Sequence, residues 1–182
     1  MPTTSGIIQC LGRLMAFNAI KFARRWLAFL PEGRRLELYP PWWMMRIKVL
    51  ALENEWRHIR IRLPLTWASR NMGGSMFGGF QASLADPIAP LACSKVFPDY
   101  HVWTRHLSVD FVRPGISDME LRFDFPPEKE AEIREELARR GRSTPSFEYG
   151  LYDGHGRLCT KVVCVVAIRP QGYLKGVGSA AE

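Results

Sequence analysis

The sequence predicts an α+β fold: a mostly antiparallel sheet wrapped around one buried helix, with an extra helix at the N-terminus and another inserted at the surface. Three observations lead there. Residues 44–65 hold two segments of period-two alternation. Residues 76–96 lack alternation and are small and apolar on nearly every side, as a buried helix requires. Further alternating segments then follow, with one charged helix between them.

In chain order, Gly6 to Leu30 comes first. Ile7, Leu11, Leu14, Met15, Phe22, Trp26 and Phe29 recur at near-helical spacing. Arg13, Lys21, Arg24 and Arg25 interrupt them, so no run approaches the roughly 20 apolar residues that span a bilayer. No small-residue cleavage site follows an uninterrupted apolar core, which argues against a secretory signal. The helix is expected to pack on its own domain or on a partner subunit. A basic amphipathic helix resting on a membrane is the alternative. Pro31-Glu32-Gly33 and Pro40-Pro41 then mark a linker. An extension over 1–40, a main domain over 41–170 and a loose tail over 171–182 result.

Met44 to Leu52 reads as a strand, with Met45, Ile47, Val49 and Ala51 in phase. Trp56 to Leu65 reads as its hairpin partner, Ile59, Ile61, Leu63 and Leu65 facing in and His58, Arg60 and Arg62 facing out. Trp67 to Gly74 is a loop. The buried helix, Met76 to Val96, contains Pro87 and Pro90, so a kink or an early stop is expected. His101 to Val112, Met119 to Phe125, a segment with Phe147, Tyr149 and Leu151, and Leu158 to Ile168 read as strands. Pro126 to Gly141 is a solvated helix with Glu130/Arg134, Glu135/Arg139 and Glu136/Arg140 at i,i+4.

Composition narrows the function. The 182 residues suit one domain with a full core. The net charge is +7, from 25 basic and 18 acidic side chains. The basic residues are dispersed, without the arginine–aromatic interleaving of a nucleic-acid surface, so nucleic acid is not an expected partner. Cys10, Cys93, Cys159 and Cys164 form no Cys-x-x-Cys pair, and His58, His101, His106 and His155 are not spaced as zinc ligands beside them. Reduced thiols, no metal and a cytoplasmic location are the expectation.

Two features carry chemistry. Asn71-Met72-Gly73-Gly74-Ser75-Met76-Phe77-Gly78-Gly79 places four glycines just ahead of the buried helix. Glycine lets a ligand approach the backbone, and the first turn of a helix offers unpaired N–H groups and partial positive charge. Together they suit a developing oxyanion. A turn needed only for tight packing is the other reading, and the absence of a Gly-Lys-Ser/Thr ending argues against a nucleoside triphosphate site. The second feature is Asp86, a carboxylate among apolar helical residues. Desolvation raises the pKa of such a group and fits it to act as a base. Capping where the helix restarts before Pro87 is its alternative role.

The pattern Asn-x-x-Gly-x-x-x-Gly-Gly, then Ser83-Leu84-Ala85-Asp86 on the helix, then the run from His106 to Gly115 on the next strand, resembles the hotdog-fold acyl-CoA thioesterases of the phenylacetyl-CoA (PaaI-like) type. It looks closest to a bacterial branch carrying Phe-Gly-Gly. The resemblance covers Met44 to Ile168. It implies a hotdog fold and a homodimer, with further pairing into a tetramer open. It implies that Asn71 holds the thioester or the attacking water, that the Gly78 N–H donates to the thioester carbonyl, that Asp86 is general base or nucleophile, and that Thr104 positions water. It also implies a site shared by two subunits, loop and helix start from one, carboxylate and hydroxyl from the other. Relatives usually carry histidine where this chain has Phe77.

The expected activity is acyl-CoA hydrolysis, with coenzyme A as part of the substrate and no separate cofactor. The alternative is a hotdog protein that binds acyl-CoA or an acyl lipid without turnover, and the missing histidine is its support. A dehydratase would need a catalytic histidine, and His58, His101 and His106 lie outside the loop and helix. Phe77, Met76 and Trp103, with Trp67 and Met72, are candidates for an apolar acyl slot, core packing being the alternative for each, and Gly79 is a further candidate for substrate binding. Arg105, Arg113 and Lys95 are candidates for coenzyme A phosphates, on charge alone.

Overall fold

The computed structural model describes residues 29–173. The helix expected over Gly6 to Leu30, Cys10 and most of the tail lie outside the described residues. Six strands, β1 (Lys48–Glu53), β2 (His58–Leu63), β3 (Tyr100–Phe111), β4 (Met119–Asp124), β5 (Ser146–Tyr152) and β6 (Leu158–Pro170), form one sheet in the order β1-β2-β4-β5-β6-β3. Every pairing is antiparallel. β1 and β3 are therefore the edges, and β3 is a long edge of 12 residues.

The expected linker is ordered otherwise. Pro31 and Pro40 do not merely break the chain; they begin two short helices, α1 (Glu32–Glu37) and α2 (Pro40–Met44). Proline suits these positions because a first-turn N–H has no helical partner anyway. Trp42 is buried to 2 % exposure and pins α2 to the core. The first strand consequently starts at Lys48, not Met44. Met45 and Ile47 reach the core from the helix end and a left-handed turn at Arg46 (φ 55°), not by strand alternation.

β1 and β2 form the expected hairpin. Its turn puts Asn54, Glu55 and Trp56 all at positive φ, a cost of roughly 1 kcal/mol or more apiece. Trp56 supplies the compensation. It is buried, its indole N–H donates to Glu32, and the Lys95 ammonium lies 4.9 Å from its ring centroid.

The buried helix is broken where Pro87 predicts, into α3 (Gly78–Ala85) and α4 (Ile88–Val96). Pro90 falls in the first turn of α4, where its missing N–H is tolerated. Leu84, Ala85, Ile88, Ala89, Ala92 and Cys93 pack against Ile61, Leu121, Phe123, Tyr149, Val162, Cys164 and Val166 of the sheet. α5 (Pro127–Arg140) is the inserted surface helix, ended by Gly141 in the left-handed conformation. Its Glu130 carboxylate also grips Arg57 from both ends of the guanidinium, which ties the insertion to the β1–β2 turn.

Candidate active site

The stretch from Arg70 to Met76 is closed by its own hydrogen bonds. Asn71 accepts from the Ser75 N–H at 3.1 Å and donates to Ser75 Oγ at 3.0 Å, while its backbone N–H donates to the Ser75 carbonyl at 2.8 Å. Gly74 takes positive φ (83°) inside this turn, which glycine alone accepts without strain. Asn71 thus shapes the loop with both ends of its amide. Met76 is buried, with its N–H on the Gly115 carbonyl and its own carbonyl accepting from Gln81 Nε2. Met76 is therefore a core residue, a correction to its expected place in an acyl slot. Gln81 is buried too and accepts from the Thr160 hydroxyl, so the one amide side chain inside α3 is satisfied.

Phe77 occupies the N-cap of α3, and no side chain caps this helix. A serine or aspartate there would bond the amides of the first turn; phenylalanine leaves them free. Among the described residues neither the Gly78 nor the Gly79 N–H has a hydrogen-bond partner. Two rings flank these amides. A Cβ at Gly79 would lie 2.7 Å from Cζ of Phe77, and one at Gly78 would lie 3.0 Å from Cζ of Phe111. The ring of Phe77 also meets Phe80 edge-on, centroids 5.7 Å apart. Phe77 and Phe111 are each about half exposed, and Met72 is fully so. The donor pair sits between aromatic walls.

Asp86 lies at the break between α3 and α4, and its side chain faces solvent in the single chain instead of the core. It does not cap α4, whose N-cap is Pro87. The backbone around it is held from the sheet. Pro90 has no N–H to give the Asp86 carbonyl, and Thr104 Oγ1 donates to that carbonyl instead, at 3.0 Å. The Tyr149 hydroxyl donates to the Ala85 carbonyl at 2.8 Å, one residue before the break in the helix. Burial, with Cys164 beside it and the Asp86 charge nearby, pushes the Tyr149 hydroxyl well above the usual phenol range. It stays a neutral donor.

A bulge at Arg105 makes this placement possible. Thr104 pairs with Val166 and His106 with Val165, so one extra residue intervenes. Before the bulge Thr104 faces the helix; after it Leu107 does, packed on the core. Trp103 points from the opposite face, stacked on Tyr173 with centroids 6.0 Å apart and beside Arg169. The structure does not bring Trp103 to the glycine loop. Arg105 is exposed at the bulge, and exposed Arg113 donates to the Leu158 carbonyl. Lys95 is paired with Glu32 at the far end of α4, a correction to its expected place on a phosphate. That bond, with the Trp56 indole beside it, holds the Glu32 carboxyl below the usual range.

Sequence reasoning missed Tyr149 and Phe111. Tyr149 had a signal: it is the polar member of an apolar strand face, and a buried phenol needs a partner. Phe111 had none, because its contact with Gly78 crosses 33 residues of chain.

No curated protein matches the chain by sequence. Solved structures do match in shape. A Pseudomonas aeruginosa protein of unknown function, named a probable thioesterase, is 22% identical with a TM-score of 0.65, covering 78% of this chain and 97% of its own. A Chlorobaculum tepidum protein of unknown function is 13% identical with a TM-score of 0.63, covering 76% and 94%. A Haemophilus influenzae thioesterase is 15% identical with a TM-score of 0.57, covering 75% and 87%. At these identities the likeness concerns the fold alone, and that fold is the hotdog fold. Residues 35–168 match the family described as "Domain of unknown function (DUF4442)", and the chain belongs to that family.

Proposed function

We propose that the protein hydrolyses an acyl thioester, with acyl-CoA as the substrate, in a site completed by two copies of the chain. The observation that carries this reading is the pair of free amides at Gly78 and Gly79, walled by Phe77 and Phe111. They suit a carbonyl oxygen that gains charge while its acyl chain rests on the rings. Asp86 activates water: the water oxygen bonds to the carbonyl carbon, Asp86 takes its proton and passes it to the leaving sulfur, and the C–S bond breaks to release thiol and carboxylic acid. Attack by Asp86 itself, followed by hydrolysis of the anhydride, gives the same products. The hotdog fold, shared with proteins named thioesterases, adds support.

Two copies are required by distance. Gly78 and Asp86 are eight residues apart on one helix, about 12 Å along its axis. An oxyanion donor and an attacking group must each come within about 3–3.5 Å of one carbonyl. One chain cannot meet that condition with both groups. A second copy placed at the β3 edge, where Thr104 and Phe111 lie, can.

The test is thiol release from a panel of acyl-CoAs by the wild type and by Asp86→Ala. The variant is expected to lose at least about a hundredfold in kcat. Equal rates, or acyl-CoA binding without any thiol release by the wild type, would refute the reading.

A further inference from the structure

The corner made by α1 and α2 exposes apolar side chains that the proposed reaction does not use. Leu38, Tyr39, Trp43 and Met44 are 45%, 56%, 63% and 66% exposed. The helix carrying the last two is firmly seated, since Trp42 beside them is buried. Their exposure is a property of the surface and not of a loose segment. Contiguous apolar groups of this size at a surface mark a contact site.

The rim of the corner is basic. Leu38 and Trp43 share one open depression of about 500 Å³ with Arg34, Arg46 and Lys48. An adjoining depression adds Arg62. The one acid lining either is Glu37, already bound by Arg34, by Lys48 and by the Val49 N–H. Among the described residues Arg46 has no acidic partner. The chain that leads into this corner has the same chemistry. Residues 1–31 contain no Asp or Glu but carry Arg13, Lys21, Arg24 and Arg25 among Ile, Leu, Phe and Trp.

We propose that this corner is a docking surface for an anionic lipid bilayer. Trp and Tyr place an apolar body and a polar tip at a membrane–water boundary. Arg and Lys at its rim attract acidic headgroups while their stems lie along apolar surface. An acidic protein would be drawn by the same charge, but it would not call for four apolar tips with no polar spacing. No described helix is long and apolar enough to cross a membrane. The inference is independent of the hydrolytic reading: the corner adjoins β1, and Thr104 and Phe111 lie on β3, the opposite edge of the sheet.

The experiment is co-sedimentation of the full chain with phosphatidylcholine vesicles, with and without phosphatidylglycerol. The wild type is expected to pellet with the anionic vesicles only, and less as salt is raised. Arg46→Gln with Arg62→Gln is expected to weaken partition by about 25-fold, from about fivefold for each cation removed. Trp43→Ser with Met44→Ser is expected to weaken it by about tenfold or more. All four positions are exposed, and unchanged circular dichroism and melting confirm that the variants fold. A wild type that stays in the supernatant overturns the proposal. So does full pelleting of either double variant. A variant that changes the oligomeric state by light scattering, with vesicle binding intact, also overturns it and makes the corner an interface between copies.

Discussion

Gly78→Pro isolates the oxyanion donor. Proline removes the N–H and little else, because Gly78 is the first residue of α3, where proline is favoured. The preceding Phe77 already has φ −63° and ψ 125°, a conformation that a following proline requires. The one steric demand is that the Phe111 ring move from the 3.0 Å contact, and that ring is half exposed. Folding stability should therefore change by less than about 1 kcal/mol, whereas loss of one such donor lowers kcat by about 10²–10³. The variant also tests the two-copy site. Co-expressed with Asp86→Ala, it forms mixed dimers in which one site holds both defects and the other holds neither. The purified mixed dimer then has one intact site of two and about half of wild-type activity, although each parent is nearly inactive. The assay is thiol release by purified co-expressed dimers carrying two different tags. Wild-type kcat in Gly78→Pro would refute the role of the amide. No restoration in the mixed dimer would refute the shared site.

Three further outcomes follow from other contacts. Tyr149→Phe leaves the Ala85 carbonyl without its partner, which costs about 1–3 kcal/mol by urea unfolding and lowers kcat on the proposed reading, since the backbone beside Asp86 loses a support. Gly79→Ala gains about 1 kcal/mol of helix propensity only when Phe77→Ala has removed the ring above it, so the two substitutions should be non-additive in unfolding measured at one fixed protein concentration. The Arg57 guanidinium, with Arg134 behind it, holds the Glu130 carboxyl at about 2, against an ordinary 4.5. Because the folded value is depressed, its contribution is complete above pH 5 and fades as pH falls towards 2. The stability difference between wild type and Glu130→Gln, about 1–3 kcal/mol at pH 6, should therefore vanish near pH 2, and a constant difference would refute the assignment.

The core strands were legible because alternation in Ile59, Ile61 and Leu63, or in Met119, Leu121 and Phe123, leaves one face to bury. The helix break was legible at Pro87. The corner at residues 31–47 was not. Proline marks either a break or a helix start, and only the burial of Trp42, a long-range contact, decides between them. A carboxylate is rare on an apolar helix, which singles out Asp86, but the local pattern does not give its exposure: it sits at the break, on the side that its own chain leaves open. Lys95 and Met76 were drawn to the site by residue type alone, and their contacts with Glu32 and Gly115 lie 63 and 39 residues away in sequence, beyond any local pattern.

Phe77 is the departure that most threatened a hydrolytic reading, and its position changes its meaning. A polar N-cap turns its oxygen onto the amides of the first helical turn and satisfies them. With phenylalanine at the cap, the Gly78 and Gly79 amides have no competitor within the described chain, and a ligand oxygen is free to accept from them. The ring adds an apolar wall that strengthens such hydrogen bonds by excluding water. What it cannot do is hold a water molecule or move a proton. In the proposed reaction that burden falls on Asp86, whose own carbonyl and that of Ala85 are fixed by Thr104 and Tyr149 from two different strands. A carboxylate mounted on a break in a buried helix, anchored from β3 and β5 yet open to solvent, is stiff in backbone and reachable in side chain. Within one chain the Gly78 and Gly79 amides lie about 12 Å from it along the same helix. On the proposed reading, catalysis therefore requires a second copy to bring its own helix start to this carboxylate.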